Sequence, residues 1–225
     1  MNMKKLSNPE PRDLCISDCN EKALQRAMLK QSIDGNLSNL DDGTSIEWID
    51  YELPVEFTNN SRKQSIDLIG RDNNGRFVLC EAKYNCNKKD SPHDAELEAL
   101  SYLGKICLHL KELYENNIHR PYVYINDKSN SFKLPDFSWI DFINSHPRVL
   151  IMADVEYWNY WRGRKYRQLH NKNKKDKKSI QVKDPMVECY SINIECNYFE
   201  KQLKASGNSM YTPELSVNYW DKIKI

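Results

Sequence analysis

Residues 65–83 read SIDLIGRDNNGRFVLCEAK, and this stretch predicts a β-hairpin. Its two arms, Ser65 to Gly70 and Arg76 to Tyr84, are rich in the apolar and β-branched residues that strands favour. The arms flank residues 71–75, where the Asn74-Gly75 pair tolerates the positive φ of a tight turn. We therefore expect two antiparallel strands side by side.

Three charged residues interrupt these otherwise apolar strands. Asp67 lies in the middle of the first strand, and the second strand ends in Glu81-Ala82-Lys83. Because side chains alternate along a strand, Glu81 and Lys83 share one face. Burying an unpaired charge is costly, so such residues form ion pairs, reach solvent or hold a metal ion.

A divalent cation suits these residue types. Mg²⁺ prefers carboxylate oxygens, water and substrate phosphate, so Asp67 and Glu81 are candidate ligands and the backbone carbonyl of Ala82 is a third. The amine of Lys83 can orient a water molecule or stabilise negative charge that develops on a phosphate. The pattern thus predicts phosphodiester hydrolysis with Mg²⁺, for which Mn²⁺ can substitute. The alternative is a salt-bridge cluster on the surface of the hairpin.

The sequence before the hairpin predicts a helix and then a strand. A helix capped by Asp18 or Asn20 runs to about Gln31 and carries Glu21 in its first turn. Ser45 to Phe57 reads as an extended strand.

After the hairpin, Asp94 to Asn116 is the strongest helix signal in the sequence. Its apolar stripe, which we expect to pack on the sheet, comprises Leu97, Leu100, Leu103, Cys107, Leu110 and Tyr114. Two further strands are predicted at Tyr122 to Asn126 and Val149 to Trp158. The order α-β-β-β-α-β, followed by further C-terminal strands, predicts an α/β fold with a mixed central sheet flanked by helices.

The spacing of the charged residues resembles the D…ExK signature of the PD-(D/E)XK nuclease superfamily. In this chain the signature is Asp67 followed by Glu81-Ala82-Lys83 on the adjacent strand, with Ile66 where many members have proline. The resemblance implies a restriction-endonuclease-like α-β-β-β-α-β core over about residues 18–126, with an elaboration over 127–225. It also implies that Glu21 completes the metal site, although a glutamate at a helix start also serves as a capping or dipole partner.

A weaker similarity lies on the long helix. Glu98 and Tyr102 are one turn apart, where the repair-exonuclease branch of the superfamily often carries glutamine and tyrosine. The helix is amphipathic, so Glu98 can also simply face water.

Positive charge is concentrated in one segment. Residues 162–178 contain nine Lys/Arg and one acid, a local charge of +8, which leaves 1 − 8 = −7 for the rest of the chain. Such a run is either a solvated loop or a contact for nucleic acid. The predicted DNA contacts are Arg162, Arg164, Lys165 and Arg167 in this run, with Lys88 and Lys89 after the hairpin. Aromatic residues among these cations either stack on bases or pack the core.

Composition limits the class of protein. The chain of 225 residues is 40% hydrophobic and 29% charged, which predicts a folded protein, and we expect one domain over 1–225. No uninterrupted apolar run of about 18 residues suits a membrane span. Seven cysteines without a secretory leader predict the cytoplasm.

These observations predict a metal-dependent DNA nuclease that acts in restriction, repair or mobile-element defence, more as an endonuclease than as an exonuclease. A homodimer would suit this activity, because small nucleases that cut both strands often act in pairs. Two alternatives from other classes remain: a catalytically inactive nucleic-acid-binding or assembly subunit with the same fold, and an unrelated α/β interaction protein.

Overall fold

The computed structural model describes residues 9–14, 20–55, 64–84, 90–163, 184, 186–202 and 209–223. Helices and strands alternate along this part of the chain. In order they are α1 (Glu21–Ile33), β1 (Ser38–Asn39), β2 (Ser45–Pro54), β3 (Ser65–Asp72), β4 (Phe77–Lys83), α2 (Pro92–Glu115), β5 (Tyr122–Ile125), β6 (Asp127–Lys133), α3 (Trp139–Asn144), β7 (Arg148–Asp154), α4 (Val155–Arg162), β8 (Val187–Gln202) and β9 (Ser209–Ile223).

Seven of the described strands form one mixed sheet in the order β1-β2-β3-β4-β7-β8-β9. The pairs β4–β7 and β7–β8 are parallel, and the other neighbours are antiparallel. The described part of the fold is therefore α/β with a mixed central sheet, further C-terminal strands and flanking helices, as the sequence predicted.

The predicted hairpin is confirmed as β3 and β4. Asp72 organises its turn, because the side chain accepts hydrogen bonds from the backbone of Asn74 (3.0 Å) and Arg76 (2.9 Å). Gly75 follows with φ of 81°, a conformation that favours glycine. Every residue of β4 is buried, so this strand lies in the middle of the structure.

The two faces of the sheet form separate cores. One contains α1, whose Leu24 and Met28 pack with Cys80 and Ala82 of β4. The other contains α2, α3 and α4 and includes Leu79 of β4. Side-chain alternation along β4 therefore directs Glu81 and Lys83 toward the face that α2 covers.

Local signals explain where the two long helices begin. The side chain of Asn20 accepts a hydrogen bond from Ala23 N at 2.9 Å, so Asn20 caps α1 as predicted. Helix α2 begins with a capping box between Ser91 and Asp94, and Pro92 stands in its first turn.

Two strand predictions need correction. The segment predicted as Tyr122 to Asn126 forms β5, but it pairs with β6 in a separate two-stranded sheet. On the side away from β3, the neighbour of β4 is β7, so the strand predicted near residue 126 is not part of the main sheet. The prediction of a strand from Val149 to Trp158 is wrong in its second half, because Asp154 caps α4 and ends β7.

The predicted sheet-facing stripe of α2 is only partly confirmed, because Leu100, Leu103 and Leu110 pack against the core as half-buried residues. The residues that α2 buries are chiefly Ala95, Ala99, Tyr102, Ile106 and Leu113. Leu97 and Tyr114, which belong to the predicted stripe, are 55% and 56% exposed. The buried face of α2 is therefore rotated away from the predicted stripe, and it carries Tyr102, Ile106 and Leu113 beside the two alanines.

Candidate active site

Asp67 and Glu81 are brought together by the register of the hairpin. Leu68 pairs with Cys80, which makes Asp67 and Glu81 neighbours at the next position along the two strands. The three residues of the predicted signature therefore lie on one face of the sheet, and Glu81 and Lys83 are only 2% and 3% exposed.

Lys83 contacts two acids of this cluster, Glu81 and Glu98. Its Nζ lies 2.6 Å from Oε1 of Glu81 and 3.3 Å from Oε2 of Glu98. The hydroxyl of Tyr102 donates to Oε1 of Glu98 at 2.7 Å, so Glu98 and Tyr102 contribute to the site from α2. The backbone N–H of Ala82 donates to Oδ2 of Asp67 at 2.9 Å. The amine thus ties the end of β4 to the first half of α2.

Glu21 lies at the start of α1, and its charge acts on the same cluster. Burial raises the pKa of Glu21 to about 7; Lys83 opposes the rise, and the charges of Asp67, Asp90 and Glu98 add to it. The structure thus places the first turn of α1 within electrostatic reach of the signature residues.

The pKa values show that burial disfavours the charged forms of Asp67 and Glu81. Burial raises the pKa of Asp67 to about 6 against the pull of Lys83, and burial together with Asp67 raises the pKa of Glu81 well above its usual range. Burial alone would lower the pKa of Lys83, but Glu81 and the other acids outweigh it and the net shift is upward. Burial is the largest single influence on Glu98 and acts to raise its pKa, but the charge of Lys83 and the hydrogen bonds around the carboxyl together lower it.

One buried carboxylate oxygen of the cluster accepts no hydrogen bond. Oε2 of Glu81 is shielded from solvent and lacks a hydrogen-bond partner. The carboxyl of Asp67 lies within hydrogen-bonding reach of Glu81, but two ionised carboxylates cannot bond to each other. Either a shared proton or a cation relieves this arrangement. The oxygen ligands that Mg²⁺ prefers are thus present, so the residues fit the predicted metal.

Among the residues that the structure describes, no group of three or more His, Cys, Asp and Glu side chains has the geometry of a metal site. The predicted site needs only two carboxylates, Asp67 and Glu81, together with the carbonyl of Ala82. In this conformation the ammonium of Lys83 lies against Glu81, where it offsets negative charge.

Three helices begin around the cluster. Helix α1 begins at Glu21, α2 begins just after Asp90, and α4 begins after Ala153, which pairs with Lys83. Helix N-termini carry partial positive charge, which favours nearby anions. The three helix N-termini therefore help to stabilise the acids that surround the amine of Lys83, which are Glu21, Asp67, Glu81 and Glu98.

Sequence reasoning missed the contribution of α4. The hydroxyl of Tyr157 donates to the carbonyl of Asp90 at 3.1 Å, and burial, the largest cause, raises the pKa of this tyrosine while Lys83 opposes the rise. Tyr157 therefore joins α4 to the loop before α2, next to the cluster. A usable signal existed, because the carboxyl ends of adjacent parallel strands meet at one edge of a sheet. Reading residues 149–158 as one strand concealed it.

Most of the predicted DNA contacts lie outside the described residues: Lys88, Lys89, Arg164, Lys165 and Arg167. Arg162 is described and is exposed in the last turn of α4. The neighbouring aromatic residues Tyr157, Trp158 and Trp161 are buried in the core, which fits packing rather than base stacking.

Comparison with known protein families, with curated proteins and with solved structures gave no match. In the part of the chain that the structure describes, no helix has both the length and the apolar character needed to cross a membrane.

Proposed function

We propose that this chain is a Mg²⁺-dependent nuclease that hydrolyses phosphodiester bonds in DNA. The observation that carries the proposal is the convergence of Asp67, Glu81 and Lys83 on one face of β3 and β4, with a buried Glu81 oxygen that lacks a donor. A phosphodiester nuclease needs carboxylates to hold a metal and a cation near the scissile phosphate. These residues supply both.

The arrangement of elements adds support. Helix α1, the strands β2, β3 and β4, helix α2 and strand β7 follow one another along the chain in an α-β-β-β-α-β order, with the two-residue strand β1 inserted before β2 and with β5, β6 and α3 inserted before β7. This order resembles a restriction-endonuclease-like core. On that basis we assign the chain to the PD-(D/E)XK superfamily as part of the proposal, and a DNA substrate favours the cytoplasm.

The residues divide the proposed reaction between them. Asp67, Glu81 and the carbonyl of Ala82 would hold Mg²⁺, and Glu21 would add negative charge that strengthens its attraction to the site. A bound Mg²⁺ lowers the pKa of a coordinated water and offsets charge on the phosphate. Lys83 keeps its proton, because the surrounding acids raise its pKa, and its ammonium therefore stabilises negative charge on the phosphate.

Glu98 and Tyr102 act on Lys83 rather than on the substrate. The contact of Glu98 with Nζ of Lys83 is held by the hydroxyl of Tyr102, which limits the rotamers open to the lysine. An amine held in this way is prepared for its role before substrate arrives. The exposed Arg162 and the basic run that follows it provide phosphate contacts in this proposal.

The test uses supercoiled plasmid, linear duplex DNA and RNA with Mg²⁺ or Mn²⁺. The variants Asp67→Asn, Glu81→Gln and Lys83→Met should each lose about 100-fold or more of the cleavage rate. Calorimetry should show that Asp67→Asn and Glu81→Gln abolish Mn²⁺ binding and that Lys83→Met retains it. Glu47→Gln, an exposed acid on β2, is the matched control and should behave as wild type.

Undiminished cleavage by Asp67→Asn would remove the assignment. DNA binding by the wild type without Mn²⁺ binding or cleavage would instead support the inactive binding subunit. Absence of DNA binding, metal binding and cleavage would favour an interaction protein.

A further inference from the structure

A cavity opens at the end of the main sheet opposite the acid cluster. Arg148 lines it and pairs with Val78, whereas Lys83 pairs with Ala153 at the other end of the same two strands. About 16 Å of strand separates Val78 from Lys83. The cavity has a volume of about 490 Å³, within the range of roughly 300–1,000 Å³ that is usual for sites of small molecules.

The apolar part of its lining comes mainly from helices. Leu103 and Cys107 lie one turn apart on α2, and Ile143 lies on α3. Leu103 and Ile143 are half-buried against the core, and Met186, just before β8, is 58% exposed. An apolar body bound here would therefore remove exposed apolar surface from water, which favours binding.

The charged part of the lining comes from the strands and the hairpin, and its one acid is already satisfied. Glu188 is the single carboxylate that lines the cavity among the described residues. It accepts hydrogen bonds of 2.6–3.2 Å from two nitrogens of Arg148, from the hydroxyl of Tyr190 and from Nζ of Lys222. Burial acts to raise the pKa of Glu188, but its hydrogen bonds and the charges of Arg148 and Lys222 together lower it. Because a carboxylate has about four acceptor positions, Glu188 has none left for a ligand.

The donors that line the cavity, in contrast, have capacity left. Nε and Nη2 of Arg76 donate to the carbonyl of His146 at 3.2 and 2.8 Å, and within the described part of the chain Nη1 has no partner. The ammonium of Lys222 carries three N–H donors, of which Glu188 takes one. The imidazole of His146 can donate or accept. The charged groups of the lining are thus short of acceptors.

Arg76 is the cation whose charge is available to a ligand. The charge of Arg148 is already surrounded by Glu188, Asp42 and Asp72, of which only Glu188 lines the cavity. The guanidinium of Arg76 contacts a carbonyl group instead, and none of the described acids pairs with it. Binding of an anion would therefore give Arg76 a partner without breaking an ion pair.

We propose that this cavity binds a small organic carboxylate with an apolar body, whose carboxylate contacts Arg76 and Lys222 and whose body lies among the side chains of α2 and α3. Such a ligand supplies the acceptors that the cavity lacks and covers its apolar lining. A cation would meet donors only, and a purely polar anion would leave the apolar side chains in water. The proposal does not depend on the nuclease, because the lining contains no residue of the acid cluster.

The test uses two carboxylates with different bodies, naphthalene-1-acetate and octanoate, each with its neutral amide of nearly the same shape. Calorimetry on the intact chain, without metal or nucleic acid, measures binding. Wild type should bind at least one carboxylate, and the preferred body tells whether the natural ligand is aromatic or aliphatic. The matching amide should bind at least about 10-fold more weakly, because it lacks the charge that Arg76 recognises.

Two variants test the two parts of the ligand separately. Arg76→Gln keeps a side-chain donor for the carbonyl of His146, and it should weaken carboxylate binding about 10-fold while leaving the amide nearly unchanged. Met186→Gln should weaken acid and amide alike, by about 5-fold. Arg71→Gln, which removes an exposed arginine that does not line the cavity, is the control and should bind as wild type. A loss confined to the acid is a result that misfolding cannot produce.

Cys107 reports where the carboxylate binds. Its thiol is exposed and lines the cavity, whereas Cys80 and Cys189 are buried. Bound carboxylate should slow the reaction of Cys107 with N-ethylmaleimide, followed on its peptide by mass spectrometry.

Four results would overturn the proposal. They are absence of carboxylate binding at millimolar concentration, equal binding of acid and amide, binding that neither variant weakens, and alkylation of Cys107 that the bound ligand leaves unchanged. None of these results bears on metal binding or cleavage, so the proposed nuclease would stand or fall separately.

Discussion

At the scale of single residues, the clustered acids cost stability. Four carboxyl groups, those of Glu21, Asp67, Glu81 and Glu98, share the amine of Lys83. Three of them have raised pKa values, so their ionised forms are disfavoured in the fold. Such a group adds stability that is fully present below its unfolded pKa and is lost as the pH rises through its folded pKa.

Glu21→Gln should therefore stabilise the protein at pH 8 and change little at pH 5. The glutamine mimics the protonated acid, whose pKa in the fold is about 7 against an ordinary value of 4.5. We expect a gain on the order of 2 kcal/mol at pH 8, less than the full shift implies because Glu21 is partly exposed. Urea unfolding at both pH values measures it. An equal effect at both would contradict the assigned pKa.

The relation of Glu81 to Lys83 was predictable because it depends only on the two-residue period of a strand. The pairing of Asp67 with Glu81 followed from the short turn of the hairpin. The approach of Glu21 and Glu98 was not predictable from local pattern, because it depends on how α1 and α2 pack on the two faces of the sheet. The placement of those two residues near the site was expected only from the resemblance to the PD-(D/E)XK superfamily.

At the scale of elements, the first turn of α1 is fastened to β2. Nζ of Lys22 lies 2.7 Å from Oε1 of Glu52, and Arg12 also pairs with Glu52. The backbone of Glu52 has φ of 45°, in the left-handed region that glutamate rarely adopts. Its two neighbours pair with the residues on either side of Asp67. Glu52 thus links the helix that carries Glu21 to the strand beside Asp67.

Breaking this link should weaken metal binding through Glu21. We expect Lys22→Met and Glu52→Gln each to lower Mn²⁺ affinity by about 10-fold, measured by calorimetry. The same changes made in Glu21→Gln should have no further effect. Lys30→Met, which removes the Lys30–Asp34 pair in the last turn of α1, is the control and should leave affinity unchanged. An undiminished loss in the Glu21→Gln background would show that the link acts by another route.

Element boundaries show where local signals compete. Residues 149–158 contain the aromatic and β-branched residues of a strand, yet Asp154 accepts a hydrogen bond from Tyr157 N at 2.7 Å and begins α4. Asp154 is a typical N-cap residue, but the aromatic and β-branched residues around it led to the prediction of a single strand over residues 149–158. In α2 the periodicity of the leucines was real, whereas the face that packs on the sheet is decided by the shape of the sheet. Leu100, Leu103 and Leu110 pack against the edge of that face, whereas Leu97 is exposed.

At the scale of the whole molecule, Arg148 ties the sheet together at the end opposite the acid cluster. Its guanidinium bonds Glu188 of β8 at 2.9 and 3.1 Å, Asp42 after β1 at 3.0 Å, and the hydroxyl of Tyr190 at 3.2 Å. Asp72, at the end of β3, lies 3.8 Å away. One buried cation thus joins strands from both halves of the chain.

Arg148→Met should cost about 3 kcal/mol of unfolding free energy, because it removes a buried cation from the buried acid Asp72, whereas Glu188 keeps its pair with Lys222 and Asp42 reaches solvent. Lys133→Met, which breaks an exposed ion pair with Asp136, should change stability by less than about 1 kcal/mol. Urea unfolding measures both. Mn²⁺ affinity at the opposite end of the sheet should be unchanged by Arg148→Met, and a lowered affinity would show that the two ends are coupled.

The parallel pairing of β4 with β7 has a consequence for synthesis of the chain. Residues 78–83 of β4 bond to residues 148–153, so roughly seventy residues separate the two partners. The hairpin of β3 and β4 can form as soon as it leaves the ribosome, but one edge of β4 then stays open until Asp154 has emerged. During that interval water still solvates Glu81 and Lys83. The acids therefore lose their hydration only in a late step of folding, when the sheet and helices that bury them have already formed.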